Sequence, residues 1–271
     1  MNQNWIFILL LLGSFKTYAW GSLGHQVVCD ISWRYSETFV RSMLLSVAKR
    51  MGYQTFAESC MWADHIKSKA LYKDLKLLHY VNVSKNKGDV ASSSCLLQKN
   101  NRNQKSKPQC IVTAIDYYQR RINNNELSQR QRDEAVLLIG HFVGDIHQPM
   151  HVSYKDDFGG NRRYVVFQGK RLSIHSLWDS DILYCGYKGG WRRLGQTLYQ
   201  QSLKHSVLPQ LSPTVWANES LAVTQKIYRY LPTKLPDSYC DQYHPVALRQ
   251  LQLAGIRLSQ LLFSQLLSPR P

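Results

Sequence analysis

The chain is short of several things, and each shortage excludes something. None of its six cysteines falls in a Cys-x-x-Cys pair, so a zinc held by cysteine is not expected. Beyond the first residues, no segment approaches the roughly 20 apolar residues that span a bilayer. Acidic residues are scarce: 18 Asp and Glu stand against 34 Lys and Arg, for a formal net charge of +16. Solubility alone asks for a net charge of only about 2–8 in magnitude. The excess points to a polyanionic partner, and nucleic acid, anionic lipid and acidic glycan all qualify. Repeats and long linkers are missing as well. The 271 residues suffice for one large domain, or two small ones, with a substantial core.

Residues 1–19 read as a signal peptide. Trp5 to Leu12 is a short apolar run, and Thr17-Tyr18-Ala19 offers a small residue at the cleavage position. No Lys or Arg precedes the run, so the terminal amine alone supplies positive charge there. The mature chain would begin at Trp20, form one domain over 20–271, and have no stable insertion in a membrane. A secreted or periplasmic location and a monomeric state are expected. Export permits disulfides, and six cysteines allow fifteen pairings that spacing does not choose among.

Helical periodicity covers most of the chain. Residues 22–34, 111–121, 128–148, 191–205, 214–230 and 242–267 are expected helices. In the third, Ala135, Leu138, Ile139, Phe142 and Val143 form an apolar face. Residues 84–109 are rich in Ser, Asn, Lys and Gln and read as a solvated loop. Arg163 to Gln168, a Gly169-Lys170 turn and Arg171 to Ile174 read as a hairpin. The fold class is mainly α with a small β-hairpin.

Histidines and aspartates recur at helical spacing. His141 and Asp145 are four apart and share a helix face. Pro149 would end that helix and turn His151 back toward the same place. His175 and Asp179 repeat the four-residue spacing. Asp64 follows Trp62-Ala63, and His79 precedes Tyr80. Imidazole with carboxylate suits zinc, although the spacing alone leaves satisfied core histidines open as well. His147 lies on a different face and reads as structural. His65, His205 and His244 match no ligand position.

Taken in order, these motifs resemble a known family. They are Trp20-Gly21-x-x-Gly24-His25, Trp62-Ala63-Asp64, His79-Tyr80-Val81-Asn82, the run His141 to His151, Gly159-Gly160-Asn161, and His175-Ser176-Leu177-Trp178-Asp179. The family is that of the zinc-dependent single-strand nucleases called S-one and P-one, which also has 3′-nucleotidase activity and plant and bacterial relatives. The likeness suggests a bacterial-like secreted member and a helical domain of the phospholipase C/P-one nuclease type. Past Asp179 it rests on helical character only.

The resemblance implies three zinc ions. One would be held by Asp64, His79, His141 and Asp145, a second by His151, His175 and Asp179, and a third by Trp20, His25 and Asp145. Trp20 would contribute its free amine and its carbonyl oxygen, so signal cleavage would also create a ligand. The implied reaction is attack of hydroxide on phosphorus, with Asp64 orienting the water. Its products are 5′-phosphate ends and, from 3′-nucleotides, the released phosphate. Lys67 stands where relatives often place an Arg that contacts phosphate; it keeps the charge without the bidentate fork. Tyr80 or Phe158 could stack on a base and Asn82 could read its edge. The shared cluster would bring Cys29 near Cys60, so that bridge is expected, with Cys95–Cys110 closing the polar loop and Cys185–Cys240 remaining. Two rivals are a zinc phospholipase C on the same scaffold, which would carry Glu at position 179, and a zinc-stabilised binding protein, which would need a broken ligand set.

Overall fold

Where the apolar spacing is helical, helices form. A computed structural model describes residues 20–93, 95, 107–204 and 210–267. The expected signal peptide, His205, and residues 94 and 96–106 of the polar loop lie outside the described residues. The long helices are α1 (Ser22–Tyr35), α2 (Thr38–Arg50), α5 (Ile111–Gln119), α6 (Gln129–Ile146), α8 (Trp191–Ser202), α9 (Pro213–Arg229) and α10 (Tyr239–Leu267). Between them sit α3 (Phe56–Ser59), α4 (Trp62–Ile66), a 3-10 stretch over Ala70–His79, and α7 (Ile174–Asp179). The protein is mainly α, as its sequence suggests. Among the described residues no helix is long and apolar enough to cross a membrane.

Local chemistry sets several boundaries. Ser128 caps α6: its hydroxyl accepts from the Gln131 amide at 3.3 Å while the Gln131 side chain accepts from the Ser128 amide at 3.0 Å. Thr55 and Glu58 make the same reciprocal cap on α3. The expected hairpin is present, with β3 (Tyr164–Phe167) antiparallel to β4 (Lys170–Ser173). A second pair was not expected: β1 (Val81–Val83) runs parallel to β2 (Val152–Tyr154), with Asn82 opposite Ser153. That pair joins the residues that follow His79 to those that follow His151.

One apolar cluster runs through the structure, with Trp20, Trp178, Trp216, Phe56 and Phe142 fully buried in it. Helix α1 packs against α10, α8, α3 and α6. Two glycines let α6 come close. A Cβ on Gly140 would lie 2.7 Å from Cys60 Sγ, and one on Gly144 would lie 3.0 Å from His25 Nδ1.

Three disulfides form: Cys29–Cys60, Cys95–Cys110 and Cys185–Cys240. These are the expected pairs. The first is fully buried and ties α1 to the residues just before α4. Replacing Cys29 and Cys60 together by alanine should lower unfolding free energy by about 2–5 kcal/mol. Denaturant unfolding under non-reducing conditions measures this, and an unchanged midpoint would show that helix packing alone holds the two segments.

Candidate metal centre

Helix α6 supplies the middle of the centre. His141 and Asp145 lie one turn apart on it and both are fully buried. Helix α1 brings His25, whose ring stacks on that of His141 with centroids 3.7 Å apart. His25 Nε2 is 3.3 Å from Asp145 Oδ1. Helix α4 places Asp64 Oδ1 3.6 Å from His141 Nε2. The last residue of the 3-10 stretch, His79, sets its Nδ1 2.9 Å from Asp145 Oδ2 and 3.1 Å from His141 Nε2.

Helix α6 ends at Ile146, and a short 3-10 turn over Pro149–His151 follows. That turn returns His151, whose Nδ1 lies 3.7 Å from Asp145 Oδ1 and whose Nε2 lies 3.8 Å from Asp179 Oδ1. Helix α7 adds His175, with Nε2 3.5 Å from Asp179 Oδ2. Three groups of potential donors result: Asp64, His79 and His141; His25, His141 and Asp145; His151, His175 and Asp179. His141 therefore stands with the Asp64 group and with His25, while Asp145 touches donors of all three groups.

The imidazoles are oriented by groups behind them. His141 Nδ1 donates to the Cys60 carbonyl at 2.7 Å, His151 Nδ1 to the His79 carbonyl at 2.6 Å, and His175 Nδ1 to the Gly159 carbonyl at 2.6 Å. Each bond fixes the tautomer that leaves Nε2 as a free lone pair, the usual arrangement behind a metal-binding histidine. Gln148 Nε2 donates to Asp179 Oδ1 at 2.5 Å. These supporting partners escape sequence reasoning. Three are backbone carbonyls, and Gln148 has no spacing signal.

The donor set fits a cation. Seven buried atoms here have no hydrogen-bond partner among the described residues: both ring nitrogens of His25, Asp64 Oδ2, His79 Nε2, Asp145 Oδ1, His151 Nε2 and Asp179 Oδ2. Leaving one such atom unpaired costs roughly 1–3 kcal/mol. All six cysteines are in disulfides, so the donors are nitrogen and oxygen, which suits zinc with imidazole and carboxylate. Burial holds His79, His151 and His175 down at about 4, so they are neutral and able to donate at neutral pH. Burial works against ionised Asp64, but His141, His25 and Lys67 outweigh it and hold the acid at about 2. Burial pushes Asp179 well up, a tendency that a bound cation would oppose.

The other sequence-selected residues are placed as follows. Lys67 Nζ is 2.6 Å from Asp64 Oδ1. Trp20 is fully buried beside Gly24, and the next amide, Gly21, donates to the Asp179 carbonyl at 2.5 Å. Asn82 Oδ1 is buried and unpaired, on the strand that follows His79. Tyr80 is half-buried between His79 and that strand. Phe158 is exposed and adopts a left-handed backbone with φ 57°. Its loop is braced by a pair the sequence does not reveal: Tyr228 donates to Asp157 Oδ2 at 2.6 Å, and Asp157 Oδ1 accepts from the Gly160 amide at 2.8 Å. His147 faces elsewhere. Its Nδ1 donates to the Val143 carbonyl at 2.7 Å and its Nε2 accepts from Arg257 at 2.8 Å. His65 is exposed, and His244 is half-buried outside the three groups.

The sequence model of the family described as S1/P1 Nuclease matches residues 20–266. The chain belongs to that family. The match takes in every donor of the three groups, from His25 to Asp179. Relatives named as nucleases agree. Endonuclease 2 of Arabidopsis thaliana is 29% identical over 284 residues, covering 95% of this chain and 94% of that protein. Endonuclease 4 of the same plant is 26% identical, covering 93% and 90%. Nuclease P1 of Penicillium citrinum is 28% identical over 162 residues, covering 59% of this chain and 57% of that protein. As a member of the S1/P1 family the protein is a nuclease, a hydrolase of ester bonds whose substrates are nucleic acids.

Proposed function

We propose that the protein is a secreted, zinc-dependent, single-strand-specific nuclease that leaves 5′-phosphate ends and also removes phosphate from 3′-nucleotides. The observation that carries this is the junction at Asp145, against which donors of three His/Asp groups converge, several of them buried atoms without a hydrogen-bond partner among the described residues. The reading assigns one zinc to Asp64, His79, His141 and Asp145. It assigns a second to His151, His175 and Asp179, and a third to Trp20, His25 and Asp145. Zinc in such a cluster lowers the pKa of a bound water and draws charge from the phosphoryl oxygens.

The chain's own residues do the rest. Asp64, with Oδ2 left for a metal and Oδ1 held by Lys67, would orient the attacking water through a hydrogen bond to Oδ1. Lys67 is partly exposed and can reach a phosphate oxygen as a point charge. Phe158 and Tyr80 would stack a flat face on a base, and Asn82, on the strand after His79, would read its edge. A base stacked inside a duplex is not available to such a face, which gives the preference for single strands. The reading also includes removal of residues 1–19, a single nuclease domain over 20–271, and action as a monomer outside the cytosol.

The test is metal analysis of the mature protein beside turnover of single-stranded DNA, RNA and 3′-AMP, before and after a chelator. About three zincs per chain and loss of turnover on chelation are expected. Full turnover in protein shown to be free of metal would end the reading. Release of choline phosphate in place of nucleotides would favour the phospholipase alternative.

A further inference from the structure

The hairpin between the Phe158 loop and His175 carries a feature that the metal centre does not use. On β3, Val165 and Phe167 point into the core, while Tyr164 stays 46% exposed. Arg171 covers this ring, with its guanidinium carbon 4.2 Å from the centroid. The register explains the contact. Tyr164 stands opposite Ser173 and Val166 opposite Arg171, so Tyr164 and Arg171 are diagonal neighbours on one face. The preceding loop repeats the arrangement. Phe158 is 54% exposed, and the Arg162 guanidinium carbon lies 3.9 Å from its centroid.

Both aromatic platforms are tied to His175. Gly159, next to Phe158, accepts the bond from His175 Nδ1. Ser173, opposite Tyr164, accepts from the Ser176 amide at 3.0 Å and so caps the helix whose second residue is His175. From Arg162 to Ser173 the chain holds Arg162, Arg163, Lys170 and Arg171 and no acidic residue. Exposed rings beside guanidinium groups, on a segment of one charge sign, match what an unpaired strand presents: flat bases on a phosphate chain. A protein or lipid surface would call for an exposed apolar cluster here, and the outer face of the hairpin offers one exposed ring covered by one guanidinium, beside half-buried Val166.

We propose that Tyr164 and Arg171 form an outer subsite that takes a base and its phosphate beyond the nucleotide being cleaved, next to the Phe158/Arg162 rim. The subsite extends the single-strand nuclease reading and rests on it. The strand would pass from the Phe158 rim, next to the Gly159 carbonyl that holds His175, onto the hairpin. Stacking makes the subsite indifferent to base identity, and Arg171 makes it sensitive to salt.

The experiment compares wild type, Tyr164→Ala, Tyr164→Phe and Arg171→Gln on a twelve-nucleotide single strand and on 3′-AMP. Tyr164→Ala should raise KM for the strand about tenfold with little change in kcat, and should leave 3′-AMP unaffected. Tyr164→Phe keeps the ring and should restore the wild-type KM. Arg171→Gln should reduce the slope of log KM against log salt by about 0.7 for the strand, the value for one phosphate contact on a single strand. An equal loss on both substrates would overturn the subsite and show that the hairpin merely supports the His175 helix. Unchanged KM and salt slope in all variants would overturn it too. If wild type turns over neither substrate, the nuclease reading itself fails, and that outcome is separate from wild-type turnover with silent variants.

Discussion

Asp145→Asn should cost about a thousandfold or more in turnover of single-stranded DNA while leaving the helical fold intact. Asp145 belongs to one donor group and lies within 4 Å of donors in the other two. It lies 2.9 Å from His79 Nδ1, 3.3 Å from His25 Nε2, 3.3 Å from His141 Nε2 and 3.7 Å from His151 Nδ1. Asparagine keeps the shape but removes the negative charge and turns one acceptor into a donor. Two of the three metals in the proposed assignment lose a ligand, so metal content should fall as well. A Lewis acid contributes several kcal/mol to a phosphoryl transition state, and about 4 kcal/mol corresponds to a thousandfold in rate. Metal analysis, circular dichroism and kinetics on one preparation decide the matter. A variant that keeps its metals and more than a tenth of its activity would remove Asp145 from the centre of the mechanism.

The donors themselves were legible because linear motifs carry them. Helical spacing puts His141 with Asp145, and His175 with Asp179, whatever the rest of the fold does. Helices α1, α6, α9 and α10 were equally legible, since each repeats apolar residues over several turns. Helix α2 is a different case. Val40, Leu44, Val47 and Ala48 are its buried face and have helical spacing, yet the segment was not among the expected helices. Helices α3 and α4 are four and five residues long, too short to show a period. The parallel β1–β2 pair joins two three-residue strands far apart in sequence, and neither shows alternation on its own. The orienting partners were beyond reach for a plainer reason. A carbonyl such as that of Cys60, His79 or Gly159 has the same identity at every position, and only the fold says which one meets an imidazole. Tyr228 meets Asp157 across 71 residues and no spacing rule connects them.

Trp20 offers the second large effect, because the amine proposed as a ligand exists only after cleavage. The residue is fully buried, and a Cβ on Gly24 would lie 2.8 Å from the Trp20 Cβ, so its side chain packs one turn ahead of His25. The Gly21 amide bonded to the Asp179 carbonyl holds this end of the chain beside α7. A free amine and its own carbonyl oxygen can close a five-membered chelate ring. The amine's ordinary pKa of about 7.7–8.0 lets a metal displace its proton near neutral pH. One extra residue before Trp20 turns that amine into an amide, which binds zinc poorly. The Asp64/His79 and His151/His175 donors are untouched by the extension, being held by α4, α6, α7 and the turns between them. The extended protein should therefore stay folded and keep about two of three metals. It should also lose at least tenfold in turnover, the equivalent of about 1.4 kcal/mol of transition-state stabilisation. The comparison needs mature and extended proteins with N-termini verified by mass spectrometry and metals counted in each. Equal turnover with three metals in both would make Trp20 a packing residue and leave His25 and Asp145 to hold the third ion without it.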